Sequence, residues 1–323
     1  MNGTPTARPR ALFWTIVPAL LLLAPSLQLL GEDRGAVSGR WLLDFEQDGS
    51  IQLTLKRRSD GRGNWNSSND YALEDFRGLQ RPSGTSDVPA RFEMVRDAGA
   101  IAFEGQLDEA GGGGRFTHTP NAEYVAALGT MGYRPSDADE LFSLTVHDVS
   151  RAFIGDLQAL GYKRVALDDL VGMRIHGATP EFIRELKSLG YTDLSTDDLV
   201  SMRIHGATPA YIRQMKALGY DRLSTDDLVS MRIHGATPEF VRDLRGLGYR
   251  DLSADDIVSM RIHGVTPEFI QDLQGLGYKD VSPDDLVSMR IHGVTVEYVR
   301  KMKARLQNVS VDELVSMRIH GSR

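Results

Sequence analysis

A chain of 323 residues with 41% hydrophobic and 25% charged residues has the balance of a folded protein with a core, which excludes a disordered chain and a multi-span membrane protein. It contains no cysteine, so disulfides and thiolate metal or redox sites are excluded as well. A formal net charge of −7 argues against broad binding to the phosphate backbone of nucleic acids.

A membrane-targeting helix is predicted within residues 1–31. An uncharged apolar run over residues 11–30 follows two arginines and precedes two acidic residues. This order of charges predicts that the positive end stays inside and that the rest of the chain is exported. The run is long enough for a retained membrane anchor, whereas Pro18 and Pro25 also suit a cleaved signal peptide. We therefore expect a bacterial envelope protein whose periplasmic or extracellular part is either anchored or secreted after cleavage.

A small antiparallel β domain is predicted over residues 39–118, where apolar and polar positions alternate. The expected strands are, in chain order, Trp41–Phe45, Ile51–Lys56, Arg91–Arg96, Ala100–Leu107 and Arg115–Thr117. Gly111–Gly114 is predicted to be a loop, and residues 61–89 are predicted to be irregular apart from Ala72–Leu79. The sum is a sheet of about five strands, whose open face we expect to pack on the following helices or on a partner.

A repeat of 29 residues extends from about Asn121 to His320. Tyrosines and histidines recur at this interval, namely Tyr133, Tyr162, Tyr191, Tyr220, Tyr249 and Tyr278, and His147, His176, His205, His234, His263 and His292. Such a period is typical of a solenoid, in which each unit buries its apolar face against the next. The predicted fold is therefore α+β, with an α-solenoid of about seven helical hairpins over residues 119–323.

The unit Thr179–Gly206 shows the start and stop signals of its first helix. Thr179 and Pro180 suit the N-cap and the first helical position. Gly190 suits the left-handed residue after the helix, and Tyr191 is placed to pack back as in a Schellman motif.

The second helix of the same unit repeats these signals. Ser195 and Asp198 form a predicted capping box, and Gly206 ends the helix. Four residues are predicted to supply its apolar surface, namely Leu199, Val200, Met202 and Ile204.

The repeated sequence Met-Arg-Ile-His-Gly supplies the candidate functional residues. A possible interaction surface is formed by Arg174, Arg203, Arg232, Arg261 and Arg290 with His176, His205, His234, His263 and His292. Stacked helices about 8 to 10 Å apart keep equivalent histidines from converging on one metal ion. We expect the histidines to answer unpaired carbonyls at the helix end, with pH sensing, ligand contact and metal binding as alternatives.

Two hypotheses remain for the arginine series. Each unit carries acids such as Asp197 and Asp198 together with its arginine. In the first hypothesis, Arg203 and its equivalents each reach a carboxylate of an adjoining unit, and a ladder of ion pairs joins the stack. Alternatively, the arginines face a groove that binds an acidic peptide or polymer.

Sequence motifs of serine hydrolases, zinc peptidases and phosphate-binding loops are missing from the chain. Paired aspartates recur in every unit, which is typical of helix capping and not of a single acid–base site. We therefore expect no enzyme activity, no cofactor, no bound metal and no nucleic-acid partner.

Parts of the sequence resemble a known bacterial family. Read across copies, Leu189–Tyr191 and Asp197–Ile212 are similar to repeats attached to membrane metallopeptidases of the beta-lactam-sensor type. Asp97–Gly99 and Phe103–Gly105 resemble the small sheet that precedes those repeats. The resemblance covers most of residues 40–321 and implies a periplasmic sensing or interaction region. The multi-span peptidase part and its zinc motif are not in this chain, so the resemblance implies no chemistry here.

Three functions are compatible with these patterns. The first is a membrane-tethered scaffold whose repeats bind a protein partner in the cell envelope. The second is a sensory region that binds a small ligand between sheet and repeats and works with a membrane signalling protein or peptidase. The third is a structural spacer.

Overall fold

The computed structural model describes residues 37–59, 63–306 and 308–321. The predicted membrane-targeting segment, residues 1–31, lies outside the described residues. Within the described ranges, no helix is both long and apolar enough to cross a membrane. The sheet and the helices belong to one compact unit, Gly35–Arg323.

An antiparallel sheet of seven strands forms the first part of the described chain. In chain order the strands are β1 (Ser38–Phe45), β2 (Ile51–Ser59), β3 (Gly63–Tyr71), β4 (Phe76–Arg77), β5 (Val88–Arg96), β6 (Gly99–Leu107) and β7 (Gly111–Pro120). Their order across the sheet is β3-β2-β1-β7-β6-β5-β4. The predicted small antiparallel sheet is confirmed, but it has two strands more than expected.

The sheet curls so strongly that its two edges meet. Tyr71 of β3 and Phe76 of β4 lie at opposite ends of the strand order, yet their ring centroids are 5.6 Å apart. Trp41 of β1 is 1% exposed, and its indole nitrogen donates to the carbonyl oxygens of Glu104 and Arg115 at 3.3 and 3.0 Å. Aromatic side chains from distant strands therefore share one core inside the curl.

The prediction of a loop at Gly111–Gly114 is wrong, because these glycines form the first part of β7. A Cβ at Gly112 would lie 2.0 Å from the carbonyl oxygen of Gln106, and a Cβ at Gly114 would lie 2.0 Å from that of Glu104. Strands β6 and β7 thus approach each other too closely for any side chain at these positions. The glycines make the strong curl possible.

The prediction that residues 61–89 are irregular apart from Ala72–Leu79 is wrong for Gly63–Tyr71, which form β3, whereas residues 78–87 contain no helix or strand. This strand pairs with β2 from Gly63 to Tyr71. Its sequence is mostly Asn, Ser and Asp, which lacks the apolar alternation expected of a strand. Pairing with the preceding strand orders it, and an edge strand with polar side chains is protected against pairing with another chain.

Fourteen helices occupy the rest of the described chain. They are α1 (Ala122–Thr130), α2 (Ala138–Val146), α3 (Arg151–Ala159), α4 (Leu167–His176), α5 (Pro180–Ser188), α6 (Thr196–His205), α7 (Pro209–Ala217), α8 (Thr225–Ile233), α9 (Pro238–Gly246), α10 (Ala254–Ile262), α11 (Pro267–Gly275), α12 (Pro283–Ile291), α13 (Val296–Arg305) and α14 (Val311–His320). From α1 and α2 onward, each helix contacts the helix two positions later, so odd-numbered and even-numbered helices form two layers. An α+β fold is confirmed.

The predicted helix caps are confirmed. The Thr179 hydroxyl accepts from a first-turn amide at 3.3 Å. The Ser195 hydroxyl accepts from the Asp198 amide at 3.0 Å, and the Asp198 carboxylate accepts from the Ser195 amide at 2.9 Å. Gly190 and Gly206 have φ values of 97° and 72°, in the left-handed region where glycine is favoured.

Replacing Gly219 with valine should lower the melting temperature. Gly219 follows α7 with φ of 93°, and a β-branched side chain in this conformation costs at least about 1 to 2 kcal/mol. The matched control is Gly172→Ala in the middle of α4, where nothing lies within 4 Å of an added Cβ and φ is not positive. There we expect stabilisation by about 0.5 to 1 kcal/mol. Equal melting temperatures for Gly219→Val and the unmutated chain would show that the helix end is assigned wrongly.

The first helices pack on the sheet, as predicted for its open face. The ring of Phe142 in α2 stacks on that of Phe116 in β7, with centroids 5.3 Å apart and planes inclined by 4°. An ion pair of 2.6 Å joins Arg151 at the start of α3 to Asp97 between β5 and β6. The side chain of Phe142 therefore belongs to the core of the sheet, which joins the first repeat to the β domain.

A buried histidine at this junction should make stability depend on pH. His118 is 1% exposed, its Nε2 lies 2.9 Å from the Thr145 hydroxyl, and that hydroxyl donates to the Leu141 carbonyl. Burial lowers the pKa of His118 from 6.5 to about 4. Between pH 6.5 and about 4, His118 is protonated in the unfolded chain but neutral in the folded chain. The free energy of unfolding therefore decreases as the pH falls through this range.

The measurement is the melting temperature of the unmutated chain and of His118→Gln between roughly pH 7 and pH 4.5, the range in which histidines titrate. Burial also lowers the pKa of His147 at the end of α2, and that residue is unchanged in both chains. We expect the unmutated chain to lose more thermal stability on acidification than the variant does. Parallel curves would show that His118 is not the group responsible.

Candidate functional site

The last turns of the even-numbered helices occupy equivalent positions in successive units. We name their Arg-Ile-His residues the Arg-Ile-His edge, which consists of Arg174–His176, Arg203–His205, Arg232–His234, Arg261–His263, Arg290–His292 and Arg318–His320. The methionine before each of the first five arginines is fully buried, so the helix is fixed against the core just before the edge begins.

Three arginines of the edge, Arg174, Arg203 and Arg261, donate to a helix-end carbonyl of the preceding unit. The Nε atoms of Arg232 and Arg290 are buried and have no hydrogen-bond partner among the described residues. The Nε of Arg203 donates to the backbone carbonyl of His176 at 3.2 Å, and its guanidinium carbon lies 5.1 Å from the ring centroid of Phe182. Equivalent distances to an aromatic ring are 5.3 Å for Arg174, 5.0 Å for Arg232, 4.8 Å for Arg261 and 5.1 Å for Arg290. A cation here answers the negative end of the helix dipole and stacks on a ring face. Arg174, Arg203 and Arg261 thus cap the helix of the preceding unit.

The predicted ladder of arginine–carboxylate pairs is wrong for this series. Arg203 bonds a carbonyl, and Asp198 serves its own helix cap. Only Arg174, among the described residues of the edge, pairs with a carboxylate, at 2.6 Å from Asp148. Asp148 stands where later units have the glycine that ends the helix, so this contact belongs to the degenerate first unit. Ion pairs between units occur on odd-numbered helices, as between Arg213 and Glu185 at 2.7 Å.

A glycine lies beneath the guanidinium in the inner units. Gly177 has φ of 69°, and a Cβ there would lie 2.8 Å from Nη2 of Arg203. At Gly206 and Gly235 the corresponding distances to the next arginine are 3.2 and 3.1 Å. The sequence signal was interpreted as a helix stop alone, but the glycine also makes room for the next unit's arginine.

The odd-numbered helices use the same device. Lys187 Nζ donates to the carbonyl of Leu160 at 2.6 Å, Lys216 Nζ to that of Leu189 at 2.8 Å, and Arg245 Nη1 to that of Leu218 at 2.7 Å. Each donor comes 27 residues after its acceptor, as it does for Arg203 and His176. Cationic side chains near helix ends therefore bond the backbone carbonyls of the preceding unit. This role was not predicted from the sequence. The signal for it is a Lys or Arg that recurs 27 residues after each acceptor.

The isoleucines of the edge are half exposed. Ile204 was predicted to belong to the apolar surface of its helix, and this prediction is wrong. It follows Met202 by two residues, which places it about 200° further around the helix, away from the core. The exposed fractions along the edge are 53% for Ile175, 54% for Ile204, Ile233 and Ile262, 55% for Ile291 and 50% for Ile319.

The histidine rings of the edge are exposed and do not cap the helix-end carbonyls, as was predicted for them. Among the described residues, the rings of His176, His205, His234, His263 and His292 form no hydrogen bond. Arg174, Arg203 and Arg261 donate to the helix-end carbonyls in their place. No group of three or more His, Asp or Glu residues within the described ranges is placed to hold a metal ion.

The edge is therefore a repeated, exposed contact surface. It offers repeated aliphatic side chains beside imidazoles, while its arginines are held by the stack. No protein-family model matches this chain, and no curated protein matches its sequence. The fold and the edge together define a helical-repeat protein with a regularly repeated exposed surface.

Proposed function

We propose that this chain is a non-enzymatic scaffold of the bacterial cell envelope whose Arg-Ile-His edge binds a protein partner. In this proposal the two helix layers act as an α-solenoid of seven hairpins over residues 119–323, and residues 11–30 tether the chain to the membrane or direct its secretion. The observation that carries the proposal is the isoleucine that is half exposed at the same position in six units.

Scattered exposed aliphatic residues are ordinary on protein surfaces, but an aligned set is typical of an interaction site. Ile204, Ile233 and Ile262 do not contribute to the core that joins the units, because more than half of each side chain faces solvent. A partner that covers them would gain about 25 cal/mol for each Å² of apolar surface removed from water. Binding thus supplies a physical role for these residues that folding does not.

The resemblance to the exported region of beta-lactam-sensor metallopeptidases supports the same location. A partner in the envelope, including a separate signalling protein, is compatible with that resemblance. The exposed histidines beside the isoleucines supply hydrogen-bonding groups around an apolar centre, which is the usual arrangement of protein interfaces.

The test compares tagged full-length chain with the variant Ile204→Ser, Ile233→Ser and Ile262→Ser in envelope extracts. We expect the variant to melt at the same temperature and to lose a protein that the unmutated chain retains. That protein, once purified, must bind the unmutated chain and not the variant. Recovery of the same proteins by both chains would contradict the proposal.

The matched control places three uncharged substitutions on exposed positions of odd-numbered helices, namely Ala210→Ser, Gln214→Ser and Gln271→Ser. This variant should retain the partner. Loss of the partner in the control as well would assign binding to another surface.

A further inference from the structure

Three basic residues lie side by side across the middle of the sheet. Arg40 of β1 is directly opposite Lys56 of β2 on one side and Arg115 of β7 on the other. Neighbouring strands are about 4.8 Å apart, so the three positions span roughly 10 Å. All three residues are exposed.

This row is unfavourable for the sheet itself. Like charges directly opposite each other on neighbouring strands are destabilising. In the part of the chain that the structure describes, none of Arg40, Lys56 and Arg115 takes part in an ion pair. Glu104, the next residue in the row after Arg115, is paired with Arg91 at 3.6 Å. The sheet thus carries three adjacent positive charges, none of them in an ion pair among the described residues, in a chain whose formal net charge is −7.

The row borders a cleft of about 760 Å³. Its described lining contains no carboxylate and includes a fourth basic residue, Arg57, and the aromatic residues Trp65 and Phe116. The side chain of Arg57 is 9% exposed and is fixed by Asp139 of α2 at 2.5 Å. Gly39 also lines the cleft, and a Cβ there would lie 2.7 Å from the Phe116 ring. Phe116 is buried in the core, whereas Trp65 is partly exposed. The cleft therefore combines concave shape and local positive charge with one accessible aromatic side chain.

We propose that this cleft binds a ligand that carries two or more phosphate groups within roughly 10 Å of each other, the span of the basic row. Arginine forks and a lysine ammonium are the side chains that bind phosphate oxygens most strongly. A single phosphate would engage one or two of the three cations, whereas a multiply phosphorylated ligand neutralises the whole row. The site is separate from the Arg-Ile-His edge, so this inference does not depend on the proposed function.

The experiment is calorimetric titration of the full-length chain with inorganic triphosphate. We expect saturable binding that weakens as salt is added, because charge–charge attraction is screened. Arg40→Gln with Arg115→Gln should weaken binding by about tenfold or more, the loss expected when phosphate contacts of this strength are removed. The same variant should melt at a higher temperature than the unmutated chain, because the row of like charges is broken.

The matched control is Arg77→Gln, an exposed arginine of β4 that does not line the cleft. It should leave triphosphate binding unchanged. Absence of saturable binding, or equal binding by the Arg40 and Arg115 double variant, would overturn the proposal.

A second arm distinguishes the source of the phosphates. Vesicles of phosphatidylglycerol or of phosphatidylcholine are added to the triphosphate-bound chain. Displacement by phosphatidylglycerol alone supports the proposal with lipid headgroups as the source, and no displacement by either supports it with a soluble phosphorylated ligand. Equal displacement by both vesicles would show that phosphate charge is not what the cleft recognises, and would overturn it.

Discussion

Replacing Leu228 with alanine should lower the free energy of unfolding by about 2 to 5 kcal/mol, whereas Ile233→Ala, five residues later at the end of the same helix, should change it by less than about 0.5 kcal/mol. Leu228 is 0% exposed in the core of α8, and its truncation leaves a cavity. Ile233 is 54% exposed, so its truncation removes little packing. Two aliphatic residues of equal size thus differ in their expected effect because of their position around the helix.

Denaturant unfolding followed by circular dichroism measures both variants. Ile233→Ala serves as the control for Leu228→Ala, since both shorten a branched aliphatic side chain on α8. A large loss for Ile233→Ala would show that the isoleucine has a partner within the chain. It would also remove the main support for a binding edge.

Trp41→Ala should lower the free energy of unfolding of the sheet by about 3 to 5 kcal/mol. The substitution removes a side chain that is 1% exposed and lies 5.2 and 6.2 Å, by ring centroids, from Phe92 and Phe103. It also leaves the carbonyl oxygens of Glu104 and Arg115 without their indole donor. The cost therefore combines a cavity with two lost hydrogen bonds.

Near-ultraviolet circular dichroism and fluorescence report this loss in the sheet. The helical signal should persist, because the repeat core is a separate cluster and inner units depend mainly on their neighbours. Trp65→Ala, at a half-buried position on β3, is the control and should cost less. Simultaneous loss of sheet and helices in Trp41→Ala would show that the two parts fold as one cooperative unit.

The helical half of the fold follows closely from its sequence. Caps such as Ser195 with Asp198, and left-handed glycines such as Gly190 and Gly206, act within a few residues of the helix end. Local hydrogen bonds and backbone sterics decide them, and copies of the repeat test each assignment several times. Helix boundaries were therefore predictable from a single chain.

The sheet was less predictable because contacts distant in sequence determine it. β3 is polar and becomes a strand by pairing with β2, and Gly111–Gly114 becomes a strand where β6 approaches too closely for side chains. Neither segment has the apolar alternation that identifies a strand locally. A Cβ at Gly105 would lie 2.7 Å from the Trp41 ring. The need for glycine at this position therefore follows from the packing of the curled sheet and not from the local sequence.

The candidate site was found in part. The series that includes Arg203 and His205 was identified by repetition, but repetition does not separate stacking residues from binding residues because duplication copies both. The structure separates them by contact. Arg203 is engaged with His176 and Phe182 of the neighbouring helices, whereas Ile204 is left half exposed. Counting positions around the helix would have placed Ile204 outside the core.

Engaged arginines and exposed isoleucines have distinct expected effects. Arg232→Ala should weaken the contacts of α8 with α7 and with the end of the preceding unit, because the guanidinium lies 5.0 Å from the Tyr211 ring and covers Gly206. Ile233→Ser should leave that contact intact and act on binding alone. Adjacent residues at the end of α8 thus have different expected roles: Arg232 in packing of the repeats and Ile233 in binding of the partner.

The most direct measurement is photo-crosslinking from a benzophenone amino acid placed at Ile233 in the full-length chain, expressed in its native host cell. The control carries the same amino acid at Ala210, an exposed position of α7. We expect a discrete crosslinked protein from position 233 and none from position 210. No crosslink from Ile233, or the same products from both positions, would contradict the account of the Arg-Ile-His edge as a binding surface.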